Sequence, residues 1–105
     1  MSALLITIGS LRAGGQAALE RYAVGVMPII AAAGGQVISR GRPTETVVTD
    51  GHESGRPDLV AIIRFSSANA IRTFLGSTEY QAYVGDRESA FEQLHSYIAD
   101  DLIAG

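Results

Sequence analysis

The chain has 105 residues, 47% hydrophobic and 18% charged, with a net charge of −3, which bounds it to one globular domain rather than a disordered chain. There is no cysteine and all eight basic residues are arginines, so disulfides, thiolate chemistry, cysteine-ligated zinc, Schiff-base lysines and the P-loop lysine are excluded. Two histidines are too few for a three-histidine zinc site, and mild acidity with arginines scattered from Arg12 to Arg87 argues against a nucleic-acid partner.

Residues 3–10, Ala-Leu-Leu-Ile-Thr-Ile-Gly-Ser, are β-branched and predict a strand. The apolar run Leu4-Leu5-Ile6 is too short to cross a bilayer, and no basic region precedes it. The expectation is therefore a cytoplasmic protein with no membrane partner. Arginine without lysine, with abundant alanine and glycine, suggests a GC-rich bacterial genome.

Residues 16–33 place Leu19, Tyr22, Ala23, Val26, Met27 and Ile30 on one helical face. Pro28 predicts a kink in this helix, and Gly34-Gly35 predicts its end, with one glycine left-handed. Residues 36–40 and 44–49 are strand-like, separated by Gly41-Arg42-Pro43, which predicts a bulge or bend on an exposed edge. Residues 50–57 form a polar loop, and 58–65, Asp-Leu-Val-Ala-Ile-Ile-Arg-Phe, are the clearest strand.

Ser66 or Ser67 is set to cap a helix through Leu75, with Ile71, Phe74 and Leu75 facing inward. Ser77 starts another turn with Glu79 near its N-terminus, and Asp86 is expected to cap a helix from Arg87. The last segment reads two ways. Ala90, Phe91, Leu94, Ile98 and Leu102 keep helical spacing, which periodicity mildly prefers, yet His95 to Ile103 also alternates as a strand would.

The resulting order is strand, helix, strand, strand, helices and a final strand. That is a ferredoxin-like βαββαβ α+β domain spanning residues 1–105, an antiparallel four-stranded sheet with helices on one face. Strand 59–65 is apolar on both parities: Leu59, Ala61, Ile63 and Phe65 point one way, Val60 and Ile62 the other. The chain's own helices cover one sheet face, so a homodimer packed sheet on sheet is expected to cover the other. The alternative cover is the chain's own C-terminal segment.

A helix with Tyr22, the Gly34-Gly35 pair, a strand ending in Arg40-Gly41, a strand ending in Phe65-Ser66, and Ser77-x-Glu79-Tyr80-Gln81 resemble one family. It is domain-of-unknown-function family 1330, of the dimeric α+β barrel superfamily, and the resemblance spans about residues 3–103. It implies a homodimer whose two sheets form a barrel, and it favours a strand over about 96–103. The wider superfamily includes cofactor-free monooxygenases, lactone isomerases, polyketide cyclases and haem enzymes, with a pocket between helices and sheet. That comparison is one of fold.

Five residues stand out as site candidates. His52, between Asp50 and Glu53, has the neighbours of a general base, and equally those of a solvated loop histidine. Tyr22 lies on the inward helix face, where a phenol orients a substrate or simply packs. Arg40 and Arg64 are carboxylate clamps or internal ion-pair members, with Glu79, Glu45 or Asp50 as possible partners of Arg64. Tyr80 is placed to line a pocket mouth, whereas His95 reads as a structural residue at a helix end. Asp100 and Asp101 would point to opposite faces if they lie on a strand.

No Gly-x-Ser-x-Gly elbow and no Gly-x-Gly-x-x-Gly are present. The expectation is a protein that binds a small organic molecule, with no metal and no cofactor. As an enzyme it would be a cofactor-free isomerase, cyclase or monooxygenase. The alternative is a non-catalytic dimeric interaction or regulatory module, and a haem protein using His52 or His95 is a third.

Overall fold

A computed structural model describes residues 1–51 and 55–103. Strand β1 (Ala3–Leu11) is followed by helix α1 (Gln16–Ala32), strands β2 (Gln36–Gly41) and β3 (Leu59–Phe65), and helices α2 (Ala68–Gly76), α3 (Thr78–Gln81) and α4 (Val84–Ala90). Strand β4 (Phe91–Asp100) closes the order. The sheet runs β2-β3-β1-β4 with every neighbour antiparallel. This is the βαββαβ ferredoxin-like arrangement, with β2 and β4 at the sheet edges.

The local signals act as their chemistry requires. α1 runs unbroken through Pro28 and ends at Gly34, whose φ of +81° only glycine takes without cost. Ser67 Oγ accepts from Ala70 N–H at 3.1 Å and starts α2. Ser77 Oγ accepts from Tyr80 N–H at 3.2 Å while donating to the Phe74 carbonyl at 2.7 Å, so one hydroxyl ends α2 and begins α3. Gly25 sits mid-helix because the Tyr83 ring lies where its side chain would be.

Three sequence expectations are corrected. Residues 44–49 form no strand. β2 ends opposite Val60, Pro43 lacks an N–H for any ladder, and β3 has only Leu59 left beyond that point. Val47 and Val48 are consequently 82% and 74% exposed. The helix expected from Arg87 begins earlier, at Val84, and gives way to β4 at Phe91. Tertiary bonds decide that junction: Arg12 N–H donates to the Ala90 carbonyl at 2.8 Å, and its guanidinium to those of Glu88 and Phe91. His95 therefore lies within a strand, opposite Ile8, rather than at a helix end.

The core lies between the sheet and the helices. Phe65 and Ile71 are its most completely enclosed large side chains, joined by Leu5, Val26, Ile30, Phe74 and Tyr80. A second cluster of Ala18, Leu19, Ala90 and Phe91 fixes α1 against the α4–β4 junction. By alternation the opposite sheet face carries Leu4, Ile6, Ile8, Val60, Ile62 and Tyr97, and none of these reaches core burial. Among the described residues, no helix is long and apolar enough to cross a membrane.

Candidate functional site

A cavity of about 100 Å³, partly open to solvent, lies between α1 and the helix-side face of the sheet. Its walls are mostly apolar, from Leu5, Ala61 and Ile63 on the strands to Val26 and Ile30 on α1. That volume is smaller than the roughly 150 Å³ that encloses a benzene ring, so a larger ligand has to extend through the opening. The polar groups are few and they converge. Thr7 and Ser96 share a hydrogen bond of 2.9 Å between hydroxyls on the strands. Tyr22 and Tyr80 face each other on the helix side, and Arg40 stands at the exposed rim. A mostly apolar cavity with a small number of placed polar groups is the usual form of a small-molecule site.

The two tyrosines form the most defined feature. Tyr22 Oη and Tyr80 Oη are 2.8 Å apart, and Arg87 Nη1 donates to Tyr80 Oη at 3.0 Å. The Arg87 guanidinium also lies over the Tyr80 ring, 5.9 Å from its centroid. The rings pack edge to face at 6.2 Å, with Phe91 against Tyr22 at 6.5 Å and Phe74 against Tyr80 at 5.0 Å. Burial raises the Tyr22 hydroxyl far above the ordinary phenol range, and the adjacent Tyr80 raises it further, so Tyr22 keeps its proton and serves as a hydrogen-bond donor. Burial works most strongly against the Arg87 charge, but the hydrogen bond and proximity to Tyr80, with Tyr22 and Glu88, together outweigh it and leave the guanidinium raised above its ordinary value.

Of the five site candidates, the structure brings Tyr22, Tyr80 and Arg40 to one cavity. Arg64 is elsewhere. It shares the outer face with Val60 and Ile62, and its Nε donates to Asp101 Oδ2 at 2.7 Å. Its partner is thus Asp101 rather than Glu79, Glu45 or Asp50, and Ser2 Oγ donates to the same oxygen. His52 lies outside the described residues. His95 points away from the cavity, since its neighbours Leu94 and Ser96 are the ones that line it. Among the described residues, no three metal-ligating side chains come together.

Sequence reasoning missed Arg87 and Asp101. Arg87 is seven residues after Tyr80, but the two stand on separate short helices, α3 and α4, so no spacing along one helix announced their contact. Asp101 was visible only as half of an acidic pair, because its partnership depends on β4 lying beside β1.

A family model for a domain of unknown function, DUF1330, matches residues 6–100. The chain belongs to the DUF1330 family. No curated protein matches it. Among solved structures, a protein of unknown function from Rhodopseudomonas palustris superposes with a TM-score of 0.82 at 19% identity, over 96% of this chain and 82% of that one. A dimeric protein of unknown function and ferredoxin-like fold from Bacteroides fragilis gives 0.68 at 9% identity, over 95% and 96%. A dimeric ferredoxin-like protein of unknown function from Thermobifida fusca gives 0.65 at 11%, over 93% and 89%. At these identities the likeness is one of fold.

Proposed function

We propose that this DUF1330 chain is a bacterial, cytoplasmic homodimer that binds a small phenolic or acidic organic molecule in the cavity between α1 and the sheet. The carrying observation is the Tyr22–Tyr80 hydroxyl pair, set in an otherwise apolar cavity and backed by the Arg87 cation. Apolar walls favour a ring or hydrocarbon body, and the Tyr22 hydroxyl suits an electron-rich oxygen on it. Arg40, which no hydrogen bond or ion pair holds among the described residues, is available to an acidic group at the rim.

The same placement suits a reaction that passes through an enolate or phenolate, such as an isomerisation, cyclisation or oxygenation. There Tyr22 would stabilise developing negative charge on oxygen. The sequence offers His52 as the base for such a step. The small cavity volume favours the second reading, a non-catalytic interaction or regulatory module.

Support for the homodimer is the outer sheet face of Leu4, Ile6, Ile8, Val60 and Ile62, which the chain's own helices leave uncovered. Two structural neighbours from Bacteroides fragilis and Thermobifida fusca are themselves described as dimeric.

Binding is tested by thermal denaturation with salicylate and 4-nitrophenol at millimolar concentration. A ligand that binds only the folded state raises the Tm, with about 2.7 kcal/mol of stabilisation at a hundredfold excess over Kd. The parent should shift upward with at least one probe, and Tyr22→Phe should lose most of that shift. No shift with either probe, or an equal shift in Tyr22→Phe, contradicts the reading.

A further inference from the structure

The hydrogen-bond capacity of the tyrosine pair fixes which proton goes where. A phenol oxygen has one proton to give and lone pairs to receive. Tyr80 Oη already receives from Arg87, and Tyr80 is only 3% exposed. Apart from Arg87, its hydroxyl has one described partner, Tyr22. A buried hydroxyl proton without an acceptor is costly, so the Tyr80 proton goes to Tyr22 Oη. That leaves the Tyr22 proton unused within the pair, on a half-buried residue that lines the cavity. Arg87 does not line this cavity; it faces a neighbouring surface depression with Arg12 and Glu88.

We propose that Arg87 is a positioning residue which, by donating to Tyr80 Oη, turns the Tyr80 proton onto Tyr22 and aims the Tyr22 O–H into the cavity, toward an anionic ligand oxygen. A phenolate, an enolate or a carboxylate is the matching class. The proposal rests on the cavity being a binding site, as inferred above. Without the Arg87 donor, Tyr80 Oη would accept from Tyr22 as readily as donate to it, and the Tyr22 proton would turn away from the cavity. The donors act in series, so the Arg87 charge polarises both hydroxyls. Of the other charged and titratable groups nearby, Glu88 sits close to Arg87, Tyr83 packs on α1 at Gly25, and Arg21 is bonded to Asp86 at 3.0 Å on the outer side.

Two measurements test it on the full chain, with Arg87→Met and Arg87→Lys. The first needs no ligand. Tyrosine labelled with ¹³C at Cζ, in mixed H₂O and D₂O, shows a split carbon signal when its hydroxyl proton exchanges slowly. Assignment uses Tyr22→Phe and Tyr80→Phe. The parent should show a slowly exchanging Tyr80 hydroxyl and a faster Tyr22 hydroxyl. Arg87→Met should abolish the distinction while keeping the parent's circular dichroism, and Arg87→Lys should restore it. Unchanged tyrosine signals in Arg87→Met overturn the proposal.

The second measurement titrates 4-nitrophenolate by its visible absorbance. The parent should bind the phenolate more tightly than the neutral phenol. Arg87→Met should weaken phenolate binding at least about tenfold, the low end of a lost hydrogen bond to a charged group. Arg87→Lys should recover most of it. Equal binding by parent and Arg87→Met overturns the positioning role and leaves the binding site standing. No binding by the parent overturns the binding-site reading and the ligand class, whatever the hydroxyl signals show.

Discussion

Asp101 is the most deeply placed carboxylate in the described chain, 4% exposed, and it gathers Arg64 and Ser2 at the end of the sheet. Replacing it with alanine would strand a guanidinium that is itself 32% exposed, so water partly compensates. Asp101→Ala should cost about 1.5–3 kcal/mol in urea unfolding, with the cavity's ligand response preserved. Tyr22 makes stability depend on pH. Burial, and then the neighbouring Tyr80, hold its hydroxyl protonated above the 10.0 at which an ordinary phenol ionises. In the unfolded chain it is free to ionise. Its contribution is therefore complete below about pH 10 and is lost as pH rises above that value. Stability should fall above pH 10 by up to roughly 1.4 kcal/mol per pH unit from this group. Tyr22→Phe should show a shallower fall in urea-unfolding titrations, and an identical slope would assign the alkaline sensitivity to other residues.

At the level of elements, α1 holds its place by close approach rather than by intrinsic preference. Alanine at position 25 would gain about 1 kcal/mol of helix propensity, but its side chain would meet the Tyr83 ring. Overpacking of that kind costs about 1–3 kcal/mol. Gly25→Ala should therefore lower the Tm by a few degrees, while a rise would mean that Tyr83 moves aside freely. The same contrast explains which elements were legible in the sequence. β1, α1, β3 and the Ser67 and Ser77 caps follow from local chemistry, and each lies within a residue or so of its expected place. The Phe91 boundary does not, because Arg12 sets it from across the sheet. Residues 44–49 have every local mark of a strand and no strand partner among the described residues. In the cavity, Tyr22 and Tyr80 were legible from helical facing, but their contact needed the α2–α3 turn at Ser77. Of the two readings offered for Arg64, the internal ion pair is the one observed, but its partner Asp101 was not among those named, because a charge in an apolar strand announces a partner without naming it.

For the whole molecule, the helices explain one face of the sheet and leave the other apolar and only half-covered. A second copy packed on Leu4, Ile6, Ile8, Val60 and Ile62 would bury that face and bring two sheets together about 10 Å apart. It would also enclose the Arg64–Asp101 pair, which lies on the same side. Ile62→Asp places a charge at the centre of this surface and should separate the copies without disturbing the helix-side cavity. The absence of lysine and cysteine narrows what the cavity can do, and its polar groups are two tyrosines, one arginine and the hydroxyls of Thr7 and Ser96. Sedimentation velocity of the parent at micromolar concentration tests the assembly most directly. A single species of twice the 11.0 kDa chain mass is the predicted result, shifting to one chain mass in Ile62→Asp. A parent that sediments as one chain, with its apolar sheet face open to water, would contradict it.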